Sequence, residues 1–140
     1  MSNTNAYRAV LRYPGSKWRI VKQLCDMIPE HKSYLEPYFG SGAVFFTKQP
    51  SRIETINDLD LDVVNLFSCL QEDPEKLASM IYATPYSRYL YEQQYISLPV
   101  MEPYQKALSF LIKCWMGHGY RTNGWKNDIQ GREKAYAVLN

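Results

Sequence analysis

Three features of this 140-residue chain predict a helix-dominated α/β fold around two parallel strands. A short aromatic strand runs into a loop bearing Gly40 and Gly42, and then into a helix. A second short strand ends in Asn57-Asp58. Beyond it, apolar residues recur at helical spacing. Strand, glycine loop, helix, strand and acid, in that order, make one half of a nucleotide-binding α/β unit. A two-stranded sheet alone is thin, so helices must carry most of the core.

Each element has its own warrant. "LRYPGSK" opens with a turn at Pro14-Gly15. Ser16 can then cap a helix through "KWRIVKQLCDMI", where Ile20, Val21, Leu24, Met27 and Ile28 share a face and Pro29 stops the run. "SYLEPY" reads as a buried strand, and "AVFFTK" as the first turns of the next helix. "RIETIND" is the second strand, with Ile53 and Ile56 apolar. "LDLDVVNLFSCL" is a helix with Asp60 or Asp62 in its first turn, where acids suit the dipole. "EDPEKLASMIY" has Asp73 as cap and Pro74 at the first helical position. "TPYSRYLYEQQYI" is capped near Ser87. "PYQKALSFLIKCWMG" places Ala107, Leu108, Leu111, Ile112 and Trp115 on one side and stops at Gly117.

The last segment, from residue 118, changes character. Gly, Asn and Asp dominate, and Arg121, Lys126, Arg132 and Lys134 alternate with Tyr120, Trp125 and Tyr136. Asn123-Gly124 is a hairpin-turn signal. The sequence stops at Asn140 in what reads as the start of a helix, as though the domain continued. The expected organisation is two parts, 1–72 with the glycine loop and 73–140 with the helices and the basic segment.

Bulk composition narrows the function classes. Hydrophobic residues make up 46% and charged residues 21%, which suits one globular domain. A net charge of +2 excludes a strongly basic nucleic-acid arm but permits a local basic patch. Cys25, Cys69 and Cys114 form no CxxC pair, so reduced, buried thiols are expected rather than a disulfide framework or a zinc site. His31 and His118 are isolated, and no metal is expected. No signal-peptide pattern opens the chain and no apolar run is long enough to span a membrane, so it reads as cytoplasmic.

The glycine loop carries the chemistry. Gly40 and Gly42 let backbone N–H groups approach a ligand, and the following helix start favours a carboxylate or phosphate. Asp58 lies 18 residues after Gly40, where such folds place an acid that accepts ribose hydroxyls. The pattern fits a nucleoside-bearing cofactor. Alone, the two glycines would equally mark a tight turn.

"RYPGSK" (12–17), "LEPYFGSGAVFF" (35–46) and "INDLDLDVVNLF" (56–67) together resemble the opening motifs of Dam-type DNA adenine-N6 methyltransferases. "TPYSRYLYE" (84–92) and the run 106–134 are similar to the helical and hairpin segments of that family's target-recognition region. The resemblance extends from about residue 8 to 140. It implies an incomplete Rossmann-like fold that binds S-adenosylmethionine, joined to part of a target-recognition region. It also implies a duplex DNA substrate whose target adenine is flipped out. Tyr13 and Lys17 would be the N-terminal cofactor contacts. Glu36, Tyr38, Gly40 and Gly42 would surround the methionine part, and Asp58 would hold the ribose hydroxyls. A cationic Lys17 can face the methionine carboxylate, and Tyr38 can line the pocket edge. Core packing for the tyrosines and a solvated helix start for Lys17 are the competing readings. Ser16 departs from relatives, which often have a second glycine there. Arg121, Lys126, Arg132 and Lys134 would contact phosphates or bases, with Tyr120, Asn123 and Trp125 near base edges. A solvated charged loop is the competing reading for that segment.

One part of the family pattern is missing. Its D-P-P-Y motif grips the adenine amino group, and this sequence contains no [DNS]-P-P-[YFW]. "EDPEK" opens a helix, and "TPYS" lacks the second proline and the acceptor. No catalytic residue is therefore assigned, and the chain reads as a truncated methyltransferase, inactive alone. It would be an experimental fragment, one piece of a split enzyme, or a truncated product with a new task. The last is the alternative reading: a non-catalytic DNA- or protein-binding module or inhibitor of phage type. The open sheet edge and 12 tyrosines would suit a protein partner or self-association.

Overall fold

The computed structural model describes residues 9–96 and 100–117. The chain divides into two units, Met1–Leu59 and Asp60–Asn140.

The first unit contains a single β–α–β crossover. β1 (Ser33–Glu36) and β2 (Ile53–Ile56) pair in parallel, Ser33 opposite Ile53 and Glu36 opposite Ile56. A parallel pair cannot be joined by a tight hairpin, and α2 (Ala43–Thr47) supplies the crossover. Side chains alternate along each strand, so Tyr34, Glu36, Glu54 and Ile56 share one face. Lys48, just past α2, sits on that face. Its side chain is 3% exposed, pairs with Glu54 and lies 4.2 Å from the centre of the Tyr34 ring. The opposite face carries Leu35 and Ile53, 62% and 56% exposed. The strand expected to be buried is therefore not buried. A single crossover shields one face of a two-stranded sheet, and the apolar face is the other one.

The helix expected from Ser16 to Ile28 is shorter. α1 spans Val21–Asp26, packs against α2, and has Ile20 at its N-terminus with no side-chain cap. Residues 14–20 form turns, and the Ser16 hydroxyl reaches Ser41 instead of capping. None of the expected apolar face is buried, and Met27 is 79% exposed.

The second unit is helical: α3 (Leu61–Glu72), α4 (Pro74–Tyr82), α5 (Arg88–Gln93) and α6 (Pro103–Met116). Asp73 and Ser87 cap their helices as expected, while of the two acids expected in the first turn of α3, Asp62 lies there and Asp60 caps it. Asp60 Oδ1 accepts from the Asp62 N–H at 3.0 Å, Asp73 Oδ1 from the Lys76 N–H at 3.0 Å, and Ser87 Oγ from the Leu90 N–H at 3.3 Å. α6 packs against α3, α4 and α5. Val63, Leu66 and Cys69 of α3, Leu77 of α4 and Tyr91 of α5 are buried. On α6, Ala107, Leu111 and Ile112 are buried as expected, whereas Leu108 and Trp115 are half-buried. Tyr104, Phe110, Cys114 and Met116 are buried too, because a helix contacted by three others needs apolar surface nearly all round. Gly117 ends α6 in an extended conformation, φ −80°, rather than the left-handed one. A Cβ there would lie 2.5 Å from the Lys113 carbonyl oxygen, so it is room that favours glycine.

Cys69 and Cys114 are buried and Cys25 is half-buried, all as free thiols. No helix among the described residues is long and apolar enough to cross a membrane. The basic segment, with Tyr120, Arg121, Asn123, Trp125, Lys126, Arg132 and Lys134, lies outside the described residues.

Candidate functional site

The strand-to-helix turn of the first unit is built from its glycines. Gly40 and Gly42 both have positive φ, +53° and +68°. The Gly42 N–H closes the turn on the Phe39 carbonyl at 2.8 Å, and the Gly42 carbonyl accepts the Phe46 N–H at 3.0 Å to start α2. A Cβ on Gly40 would meet the Tyr13 ring at 3.2 Å. The glycine is thus what allows the loop and the upstream segment to approach.

That segment is a second turn. Pro14 and Gly15 occupy its centre, Gly15 has φ +71°, and the Ser16 N–H reaches the Tyr13 carbonyl at 3.1 Å. Ser41, only 4% exposed, ties the two turns together. Its Oγ accepts from Trp18 Nε1 at 3.0 Å and shares a 2.9 Å hydrogen bond with Ser16 Oγ. Ser41 and Trp18 were not singled out by sequence reasoning. The signal was there only as the middle residue of G-S-G, a position that the glycine pattern leaves open. A glycine at position 16 could not make this bond. Ser41→Ala leaves an indole N–H and a hydroxyl without this partner, and is expected to lower stability by about 1–2 kcal/mol. Urea denaturation of the full chain measures it.

Asp58 closes the third side. The ladder continues past the strands, with Asn57 N–H on the Glu36 carbonyl at 2.9 Å and Phe39 N–H on the Asn57 carbonyl at 3.0 Å. This brings Asp58 Oδ2 to 2.7 Å from the Gly40 N–H, which donates to it. Glu36, at the end of β1, accepts from Tyr34 Oη at 2.9 Å. Burial raises its pKa above the usual carboxylate value, against the Tyr34 hydrogen bond and the charge of Lys17.

These elements enclose a cleft of about 250 Å³. Tyr13, Lys17, Glu36, Tyr38, Gly40 and Asp58 all line it, together with Pro14, Ser16 and Ser41. Gly42 stands behind, shaping the turn rather than the wall. Tyr38 is 76% exposed at the rim. A cationic Lys17, two carboxylates and bare backbone around one small space suit a zwitterionic, hydroxyl-bearing ligand.

A wider hollow of about 890 Å³ lies on the same unit, lined by Lys22, Cys25, His31, Lys48 and Ser51 among others. Its polar groups serve one another. The Pro29 carbonyl can only accept, so His31 Nδ1 donates to it at 2.7 Å, and in the neutral ring Nε2 accepts from Ser51 Oγ at 2.6 Å. Lys48 Nζ donates to the Gln49 carbonyl, Ser51 Oγ and Glu54. Despite its size, that hollow offers a ligand less unspent chemistry than the glycine cleft.

Comparison with known proteins gives the family. Residues 13–135 match the family described as D12 class N6 adenine-specific DNA methyltransferase. A DNA adenine methylase of Serratia marcescens is 27% identical over 138 residues, covering 91% of this chain and 50% of that protein. A DNA N-6-adenine-methyltransferase of Escherichia phage P1 is 29% identical over 75 residues, 54% of this chain and 10% of its own length. A DNA adenine methylase of Vibrio cholerae serotype O1 is 29% identical over 68 residues, 49% of this chain and 24% of its own length. The chain spans half or less of the length of these relatives.

Proposed function

This chain belongs to the D12 class of N6 adenine-specific DNA methyltransferases, and from that premise we propose that it holds S-adenosylmethionine in the glycine cleft but cannot by itself methylate DNA. The observation that carries the first half is the convergence of Tyr13, Lys17, Glu36, Tyr38, Gly40 and Asp58 on one cleft. Lys17 would face the ligand carboxylate and Glu36 its ammonium. Asp58, anchored by the Gly40 N–H, would accept from the ribose hydroxyls, and Tyr38 would cover the rim. When bound, the cofactor supplies a methyl group on a sulfonium sulfur. The fold reading goes with it: the β1–α2–β2 crossover is the opening of a Rossmann-like sheet.

The second half follows from the sequence, which contains no [DNS]-P-P-[YFW] motif to hold the adenine amino group. The basic segment 118–140 would contribute duplex contacts through Arg121, Lys126, Arg132 and Lys134, with Tyr120, Asn123 and Trp125 near the bases. Calorimetric titration with S-adenosylmethionine is expected to give saturable binding, while the chain alone gives no methyl transfer to duplex DNA. Methylation by the chain alone would sink the incompleteness. Absence of cofactor binding by a folded chain would favour the non-catalytic binding module.

One observation favours a protein partner. Leu35 and Ile53 lie exposed on one face of a two-stranded sheet, a surface that monomers ordinarily cover. We place there a partner polypeptide that supplies further strands and the [DNS]-P-P-[YFW] motif, which this sequence does not contain. Mixing the two is expected to give a complex by sedimentation and to produce DNA methylation. Lysine at Leu35 and Ile53 should abolish both.

A further inference from the structure

We propose that Tyr34 is a positioning residue for Glu36, holding its carboxylate ready for the ammonium group of an amino-acid-bearing ligand; this rests on the cofactor reading above. Glu36 lines the cleft and Tyr34 does not, so Tyr34 acts through Glu36. The two lie two residues apart on β1 and point to one face. Tyr34 Oη donates to Glu36 Oε2 at 2.9 Å, and the Phe45 N–H at the start of α2 adds a favourable influence on the ionised carboxylate. The Tyr34 bond is what orients the carboxylate. The Tyr34 ring is itself held down by Lys48 Nζ, 4.2 Å from its centre. Lys48 is in turn fixed by Glu54, whose strand position is directly opposite Tyr34.

The same bond governs charge. An ammonium group is recognised by the ionised carboxylate alone. Burial favours the protonated form of Glu36, whereas the Tyr34 hydrogen bond, Lys17, the Phe45 N–H and Lys48 favour the ionised one. Cys25 of α1 faces both Glu36 and Tyr34, and Glu54 of β2 faces Tyr34. The Tyr34 bond is the first of the stabilising influences, so its removal makes Glu36 take up its proton at higher pH. The acid limb of ligand binding then moves to higher pH as well.

Tyr34→Phe removes only the O–H and leaves the ring beneath Lys48. The probes are S-adenosylhomocysteine, which bears the ammonium group, and 5′-methylthioadenosine, which keeps the nucleoside and thioether but lacks the amino-acid part. At pH 6 the variant is expected to bind S-adenosylhomocysteine about tenfold more weakly, with the gap narrowing towards pH 8. Binding of 5′-methylthioadenosine should be unchanged at both. Carbon-13 NMR of the ligand-free chain should show the Glu36 carboxyl titrating at higher pH in the variant. Equal losses for both ligands at every pH, or an unmoved Glu36 titration, would overturn the proposal. Failure of the wild-type chain to bind either probe would overturn the cofactor reading instead, and the ligand-free titration would still decide whether Tyr34 controls Glu36.

Discussion

Asp58→Ala is expected to weaken S-adenosylmethionine binding by about 100-fold, the largest effect of any single change in the cleft. Two losses combine. The carboxylate that would receive the ribose hydroxyls is gone, and so is the acceptor of the Gly40 N–H at 2.7 Å. Gly40 adopts φ +53° against the Tyr13 ring, so releasing its N–H loosens the floor of the cleft as well as its wall. Asp58→Asn separates the two contributions. It keeps an acceptor of the same shape for the Gly40 N–H and loses the charge, and is expected to cost about tenfold. Titration calorimetry of both variants reads this directly. Wild-type affinity in Asp58→Ala would remove Asp58 from the site, and equal losses in the two variants would assign its whole contribution to charge.

Gly42→Ala is expected to destabilise the chain by about 2–4 kcal/mol, the sum of a left-handed backbone penalty and a steric one. At φ +68° a new Cβ would lie 2.6 Å from Phe39 Cζ and 2.6 Å from Phe46 Cε2. Phe39 has little room to yield, and Phe46, 38% exposed, must turn outward out of its aromatic contacts. Phe39 is buried, and Phe39, Phe45 and Phe46 pack edge to face with centroids 5.2–6.0 Å apart. Gly15→Ala is the internal control. Its φ is +71°, yet nothing lies within 4 Å of a Cβ there, so only the backbone part, about 1 kcal/mol, should appear. Urea denaturation of both variants gives the difference. Equal losses at the two positions would show that the aromatic cluster moves aside at no cost.

Much of the local structure was legible in residue types. Asp60, Asp73 and Ser87 start helices because their short polar side chains reach the unpaired N–H groups of the first turn. Pro14-Gly15 makes the turn its residues favour, and Gly40 and Gly42 take the backbone angles that other residues avoid. What was misread depended on neighbours. Ser16 is as good a cap as Ser87, but Ser41 competes for its hydroxyl from 25 residues away. "SYLE" has the look of an interior strand, yet burial depends on how many layers cover the sheet, which no local pattern encodes. The face of α6 widened for the same reason, since three helices surround it.

Residue chemistry by itself thus determined the helix starts of the second unit, the turns and the family. Only the tertiary structure decided that Asp58 anchors Gly40, that Ser41 joins the two turns and that Tyr34 bears on Glu36. Caps and turns are made by groups a few residues apart, whose approach the backbone guarantees. The other contacts join groups whose meeting requires the strands to pair and the crossover to close.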